Sequence, residues 1–402
     1  MNHNWQAKKL GEVCEIKPPK KEARDRLSDD DLVSFVPMED LGILTKDLVA
    51  TKERPLKEVS GSYTYFADND VLLAKITPCF ENGKIGIARN LKNGIGFGSS
   101  EYIVFRARGE VIPDYLYYFL AREQFRQDGK KVMTGAVGHK RVPKDFIESQ
   151  IIPYPKSIHD QQRIVTILDE AFAAIATAKE NAEKNLQNAR ELFESYLQSV
   201  FANPGDGWKE KTLDQVSITF GRGKSKHRPR NEKTLYGGKY PFIQTGDIRN
   251  SNHYITEYSQ TYSEIGLAQS KLWPKGTICI TIAANIAETG ILGFDACFPD
   301  SVIGLVVNPK IAEMNFVEYL LQSFKARLQE KGKGSAQDNL NMGTFENELF
   351  PIPPLPEQRS IVAKLDALSA ETQKLEAIYW QKLADLDELK KSVLEKAFSG
   401  GL

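Results

Sequence analysis

The run from Gly221 to Arg230 reads GRGKSKHRPR. It holds Arg222, Lys224, Lys226, His227, Arg228 and Arg230, with glycine and proline between them and almost nothing apolar. Such a run cannot pack in a core. It stays solvated until something anionic orders it, and a phosphate backbone is the natural counterion. The run KPPKKEARDR (17–26) stands at the corresponding place in the first half, with Lys20 and Lys21 diluted by Glu22 and Asp25. Two glycine-started loops follow the same logic. GAVGHKRV (135–142) offers His139, Lys140 and Arg141; GSAQDNLN (334–341) offers Gln337, Asn339 and Asn341. Arg, Lys, Asn and Gln are the side chains that make paired hydrogen bonds to purine edges. Lys75 and Lys84 flank a strand end in the first half, and Asn285 lies just beyond the matching strand in the second. These residues are the candidate DNA contacts. The bland alternative is that charge runs are solvated faces and that Asn and Gln in glycine loops cap turns.

Catalytic chemistry is harder to find. The chain has no G-x-x-x-x-G-K-[ST] loop, no N-P-P-[YF] or D-P-P-Y tetrapeptide and no G-x-S-x-G elbow. Pro113-Asp114 and Pro299-Asp300 lack an acid-x-lysine partner at nuclease spacing. Cys14, Cys79, Cys279 and Cys297 form no C-x-x-C pair, and the five histidines form no zinc pattern. The expectation is a binding protein with no cofactor, no metal and no catalytic residues. Lys and Arg number 53 and Asp and Glu number 53, so the net charge is zero. No apolar run approaches the roughly 18 residues of a membrane span, and the first residues lack the apolar core of a signal peptide. A soluble, cytoplasmic protein without membrane contact is the expectation.

The elements that must position these loops announce themselves by repetition. Ile158–Ala202 and Leu355–Ser399 align without a gap, with identities that include Gln161/Gln358, Leu168/Leu365, Asp169/Asp366, Leu186/Leu383 and Phe201/Phe398. Self-similarity at a fixed separation governs the fold and precedes any local reading. Both stretches come out net acidic, so the rest of the chain is net basic, and any polyanion should bind there. The first opens at Ser157 and Asp160 and closes at Asn203-Pro204-Gly205; the second opens at Pro356-Glu357 and closes at Gly400-Gly401. Apolar residues alternate four and three apart. The first seam runs Leu168, Phe172, Ile175, Ala182, Leu186, Ala189, Phe193, Tyr196 and Val200, broken at Lys179. The second runs Ile361, Leu365, Leu368, Leu375, Tyr379, Leu386, Leu389 and Val393, broken at Thr372 and Lys382. A period of about 3.5 residues is a coiled-coil seam. Helices of this length reach roughly 65 Å at 1.5 Å per residue. Pairing with each other covers both stripes without a second chain.

Four segments result: 1–156, 157–205, 206–353 and 354–402. The first and third share an order of elements: Trp5 or Trp208 at the start, an extended stretch ending in an acid (SFVPMEDLG, PFIQTGDIR), a β-rich run (NDVLLAKI, GTICITIA), another strand, a short helix and the glycine loop. The fold class expected is α+β: two globular α/β domains joined by two long helices that pair as an antiparallel coiled coil, with a pseudo-twofold repeat.

PLPEQRSIVAKLD (354–366) and its echo IHDQQRIVTILD resemble the specificity subunits of type I restriction–modification systems. The alternation of globular segment and helix over the whole chain resembles them too, although Ile158-His159-Asp160 replaces L-P-E in the first copy. The resemblance implies that each globular segment is a target recognition domain reading one half of a bipartite double-stranded DNA site. It implies that the paired helices act as a ruler. Two methyltransferase subunits and two nuclease–translocase subunits would be the partners, carrying all the catalysis. The alternatives are a recognition subunit of a methyltransferase-only complex, or a protein-binding adaptor that touches no DNA. A neighbouring nuclease gene separates the first; salt-sensitive DNA affinity excludes the second.

Overall fold

The computed structural model describes residues 4–226, 229, 231–283, 286–333, 340 and 342–402. Two helices dominate it, Ile158–Ala202 and Leu355–Ser399, on the stretches that the repeat marks. The Asp160 N–H donates to Ser157 Oγ at 3.2 Å and so caps the first. The helices run antiparallel. Lys179 pairs with Asp387 at 2.7 Å, and further along Arg190 pairs with Glu376 at 2.9 Å.

The chain forms two compact units, and each long helix is shared between them. One unit is 1–183 with 381–402; the other is 184–380. In the first, five strands order as β1-β5-β3-β4-β2: β1 Cys14–Ile16, β2 Asp47–Leu48, β3 Val71–Ala74, β4 Ile85–Ala88 and β5 Tyr102–Ala107. Its pairs are antiparallel except the edge pair β2–β4. β3 and β4 are buried along their full length, which is why they read as continuous apolar runs. Helices α1 (Pro113–Leu120) and α2 (Glu123–Val132) follow the sheet. The second unit repeats the order as β6-β10-β8-β9-β7: β6 Ser217–Arg222, β7 Tyr254–Ile255, β8 Ile278–Thr281, β9 Thr289–Leu292 and β10 Val302–Val307. Its edge pair β7–β9 is again parallel. Helices α3 (Met314–Ser323) and α4 (Lys325–Lys333) stand where α1 and α2 do. The units differ beyond the shared sheet. The first adds a four-stranded sheet from 32–36, 52–55, 64–67 and 95–98, whereas the second has a two-stranded one from 236–242 and 260–262.

Each unit's core takes in the head of the long helix that follows it and the tail of the other. Ile164, Leu168, Leu394, Ala397 and Phe398 are buried in the first core; Val362, Leu365, Leu197 and Phe201 are buried in the second. Phe398 sits edge-on to Tyr115 at 4.9 Å, and Phe201 meets Phe316 at 5.5 Å. Among the expected seam residues Ile175 and Leu186 are buried, and Phe172, Phe193, Val200, Ile361, Leu368, Tyr379, Leu386 and Val393 are half-buried. Tyr196, Leu375 and Leu389 are more than a third exposed. Leu197 and Phe201 are buried instead of a continued four-three stripe. There the helix faces a globular core, and the 3.6-residue period drifts off the 3.5 repeat. Thr372, expected as a polar break, is buried, with its hydroxyl donating to the Leu368 carbonyl at 3.0 Å.

The identities between the helices explain themselves at these joints. Gln161 is fully buried; its amide donates to the carbonyls of Glu110 and Pro155, and its oxygen accepts from the Ile112 N–H. Gln358 does the same with the Ile311 and Pro353 carbonyls and the Glu313 N–H. The Tyr118 hydroxyl donates to Asp169, and the Tyr319 hydroxyl to Asp366. A fourth position differs. Lys46, just before β2, binds Asp169 at 2.6 Å and Asp114 at 2.9 Å. At the equivalent place before β7 stands His253, stacked on Tyr319 with centroids 4.8 Å apart. Its Nδ1 lies 2.7 Å from Glu318, whose side chain is fully buried, and its Nε2 lies 3.2 Å from Asn315. Burial pulls the imidazole down, but the Glu318 carboxylate, Asn315 and Asp366 outweigh it and hold it above its ordinary value.

A histidine held high in the folded state stabilises fully below its unfolded pKa, about 6.5. The contribution is lost as pH rises through the folded value. Urea unfolding of the full chain between pH 6 and 9 should therefore show stability falling with pH. His253→Lys, which copies Lys46, should flatten that decline; an unchanged slope would discount this pair.

Candidate nucleic-acid interface

The first unit gathers a basic cluster from three distant places. Lys17 follows β1 with its N–H on the Val104 carbonyl and φ of 61°. Lys75 leaves the end of β3, and the Val142 N–H donates to its carbonyl. Thr134 and Arg141 exchange backbone hydrogen bonds at 3.0 and 2.8 Å, so the intervening loop projects as a narrow protrusion. Gly135 and Gly138 take φ of 124° and 80°, which the tight reversal requires. Val137 at its tip is 94% exposed, so the tip stands clear of the unit.

Glu101 organises the cluster. It accepts from Arg141 Nε at 2.9 Å and Nη2 at 2.7 Å and lies 3.8 Å from Lys75 Nζ. Arg141 Nη1 also donates to the His139 carbonyl. The Arg141 guanidinium holds the Glu101 carboxyl below its ordinary value. Lys75 is pulled down by burial; Glu101 opposes this, while Lys17 and Arg141 add to it. His139 and Lys140 are exposed beside this pair. Arg141 thus anchors the loop, Lys75 is held on the Ser100 carbonyl at 2.9 Å, and Lys17, His139 and Lys140 face water.

The remaining candidates divide. Lys21 is exposed at the start of a short helix, Lys21–Arg26. Lys20 Nζ donates to the Gly61 carbonyl at 2.6 Å, and Lys84 Nζ to the Met38 carbonyl at 2.7 Å, so both ammonium groups have internal acceptors. In the second unit Arg222 Nε donates to the Asp300 carbonyl at 2.8 Å, and Lys224 and Lys226 are exposed. Lys271 lies near Lys224 and 3.5 Å over the Trp273 ring. His227, Arg228, Arg230, Asn285, Gln337, Asn339 and Asn341 lie outside the described residues. The Leu340 N–H donates to the Ile282 carbonyl at the end of β8, as Val142 does to Lys75 at the end of β3. Sequence reasoning missed Glu101 and Lys271, which no local pattern signals. Lys17 opened a run already marked as basic.

Other chemistry is sparse. Among the described residues no group of three His, Cys, Asp or Glu side chains could hold a metal ion, and no helix is long and apolar enough to cross a membrane. Burial pushes the Cys14 thiol up to about 12.

Comparison with known proteins fits this geometry. The model of the type I restriction modification DNA specificity domain matches twice, over residues 2–186 and 205–379. The chain belongs to that family. It is 34% identical over 194 residues to the EcoAI specificity subunit of Escherichia coli, covering 48% of this chain and 32% of that protein. The chain thus spans about a third of the length of the EcoAI and EcoEI subunits it matches. The putative MjaX specificity subunit of Methanocaldococcus jannaschii is 21% identical over 345 residues, covering 82% of this chain and 78% of that one. Two solved structures share the fold at 21% identity. The HsdS subunit from Thermoanaerobacter tengcongensis has a TM-score of 0.71 over 100% of this chain and 98% of its own. A chain solved in work on complex assembly and conformational transition of the type I R-M system has 0.81 over 100% and 99%.

Glu101→Gln should free Arg141 and loosen the loop. Trypsin should then cut faster at Lys140 or Arg141 while thermal unfolding stays within a degree or two. In the wild type that protection should persist below the ordinary carboxylate range, because stability from a depressed carboxylate is lost only as pH falls through the folded value.

Proposed function

We propose that this chain reads DNA for a type I restriction–modification complex, one half-site per globular segment. The observation that carries the reading is the repeated joint beneath unlike loops. Both segments share a sheet order and the same Gln and Tyr–Asp contacts to the helices. Their outer sheets and glycine loops differ. Two readers on one scaffold with different tips read different half-sites, so the target is asymmetric and bipartite. His139, Lys140, Lys75, Arg222, Lys224 and Lys226 supply phosphate and base-edge contacts, together with His227, Arg228, Arg230, Asn285, Gln337, Asn339 and Asn341. The helices contribute to both cores, which supports a stiff link and therefore a fixed gap between half-sites. Methyl transfer and cleavage fall to two methyltransferase and two nuclease–translocase subunits that assemble on this chain.

Modified-base sequencing with and without the gene should show N6-methyladenine lost at one two-part motif. Inserting a heptad into both long helices should lengthen the tolerated gap; an unchanged gap sinks the ruler. Lys140→Ala should weaken binding evenly across sequences and lower the salt slope by about 1. Affinity that ignores salt would point to a protein-binding adaptor instead.

A further inference from the structure

A groove of about 710 Å³ lies in the first unit between the start of α2, the tail of the second long helix and Leu44. Its floor is apolar, made by Leu394 and the edge of Phe398. Three half-buried cations line it: Arg122, Arg126 and Lys390. The Arg122 guanidinium lies 3.9 Å over the Phe119 ring and 5.1 Å from that of Phe398, and its Nε donates to the Phe119 carbonyl at 3.0 Å. Arg126 donates to the Ala121 carbonyl. Lys390 lies 4.9 Å over the Phe172 ring. None of the three has a carboxylate within 4 Å among the described residues.

The carboxylates around the groove do not fill that role. Glu123 is engaged by Lys391 at 3.2 Å and Asp387 by Lys179 at 2.7 Å. Glu395 is exposed and acts on Arg122 only at longer range. Burial pulls Arg122 down to about 10 and lowers Arg126 and Lys390 as well, the mark of cations desolvated without compensation. A half-buried guanidinium with most of its donors unused is the group best suited to a two-point carboxylate contact.

The second unit supplies the internal comparison. A groove of about 690 Å³ stands at the equivalent place, between α3–α4 and the tail of the first long helix. Counted from the matched Tyr118 and Tyr319, Ser323 takes the place of Arg122; it is buried and donates to the Leu320 carbonyl, so it brings no charge to the groove. Gln329, which lines this groove as Arg126 lines the first, donates to the Ile286 carbonyl at 3.0 Å, and Lys325 is paired with Glu288 at 2.8 Å. Phe193 stands where Lys390 does. The fold repeats the groove, but in the second copy, among the described residues, both lining cations, Arg249 and Lys325, have partners.

We propose that the first-unit groove docks an acidic, apolar-faced peptide segment of a partner protein, one per chain, with Arg122 and Arg126 gripping a carboxylate over the Phe398 floor. This goes beyond DNA reading and does not depend on it. It also sets one partner apart from any that uses the twofold-repeated surfaces, because the cations of the second groove already have partners.

The test uses the full chain and a fluorescein-labelled amphipathic peptide of about four helical turns, leucine on one face with glutamates beside it. A matched peptide carries glutamine for glutamate. The acidic peptide should bind with one site per chain, and Arg122→Gln with Arg126→Gln should raise its Kd at least tenfold. Lys325→Gln in the second groove should leave it unchanged. Circular dichroism melts check that the variants fold, and Lys390→Gln gives a milder second variant with a smaller loss. No binding at millimolar peptide, equal binding of the glutamine peptide, or no effect of the arginine changes overturns the proposal. So does displacement by inorganic phosphate or duplex DNA at low millimolar concentration, which would make the groove a phosphate site. Because the readout is peptide binding, failure here leaves the DNA reading intact, and loss of methylation leaves the groove intact.

Discussion

Neither globular segment closes its core with its own residues. The first needs Phe398 and Leu394, and the second needs Phe201 and Leu197, each from the tail of the helix that belongs in sequence to the other half. Burying a phenylalanine of this kind is worth about 1.5–3 kcal/mol by area and more once cavities are counted. The exchange of tails makes the helices part of both folding units. It also accounts for a 45-residue helix with so modest an apolar stripe, since globular cores and not only the partner helix cover its ends.

Polar groups fix what the apolar exchange leaves loose. Gln161 and Gln358 satisfy backbone groups just ahead of α1 and α3 that would otherwise be buried without partners. An unsatisfied buried amide costs about 1–3 kcal/mol, so each glutamine holds one register between segment and helix. The Tyr–Asp contact lies two turns further along and fixes rotation. Duplicating these contacts lets the outer sheets and loops diverge without disturbing how they are held.

Divergence is visible where the two halves carry different charges on equivalent positions. Lys46 faces two aspartates, whereas His253 faces a buried glutamate and an asparagine. In the two grooves, Arg126 has no acid within 4 Å among the described residues, while Lys325 has Glu288. Glu101 turns Arg141 inward and leaves His139 and Lys140 outward. Local electrostatics, on a common backbone, give each half its own surface chemistry.

Much of this was legible in the chain. Helix bounds, the repeat and the matched order of strands follow from periodicity and self-similarity, which are properties of neighbours in sequence. The candidate loops stood out as basic or polar runs, although Ala23 in one and Leu340 in another are buried in the cores. What the tertiary structure alone decided is non-local. Strand pairing brings Lys17, Lys75 and Arg141 together and places Glu101 among them. It gives Lys84 an internal acceptor at Met38, so that a lysine beside a strand end is held against the backbone. It replaces Tyr196 in the buried stripe with Leu197, because the helix there meets a globular core and not its partner helix. Composition and spacing fix which residues seek burial or charge; which of them meet depends on contacts closed across more than a hundred residues of chain.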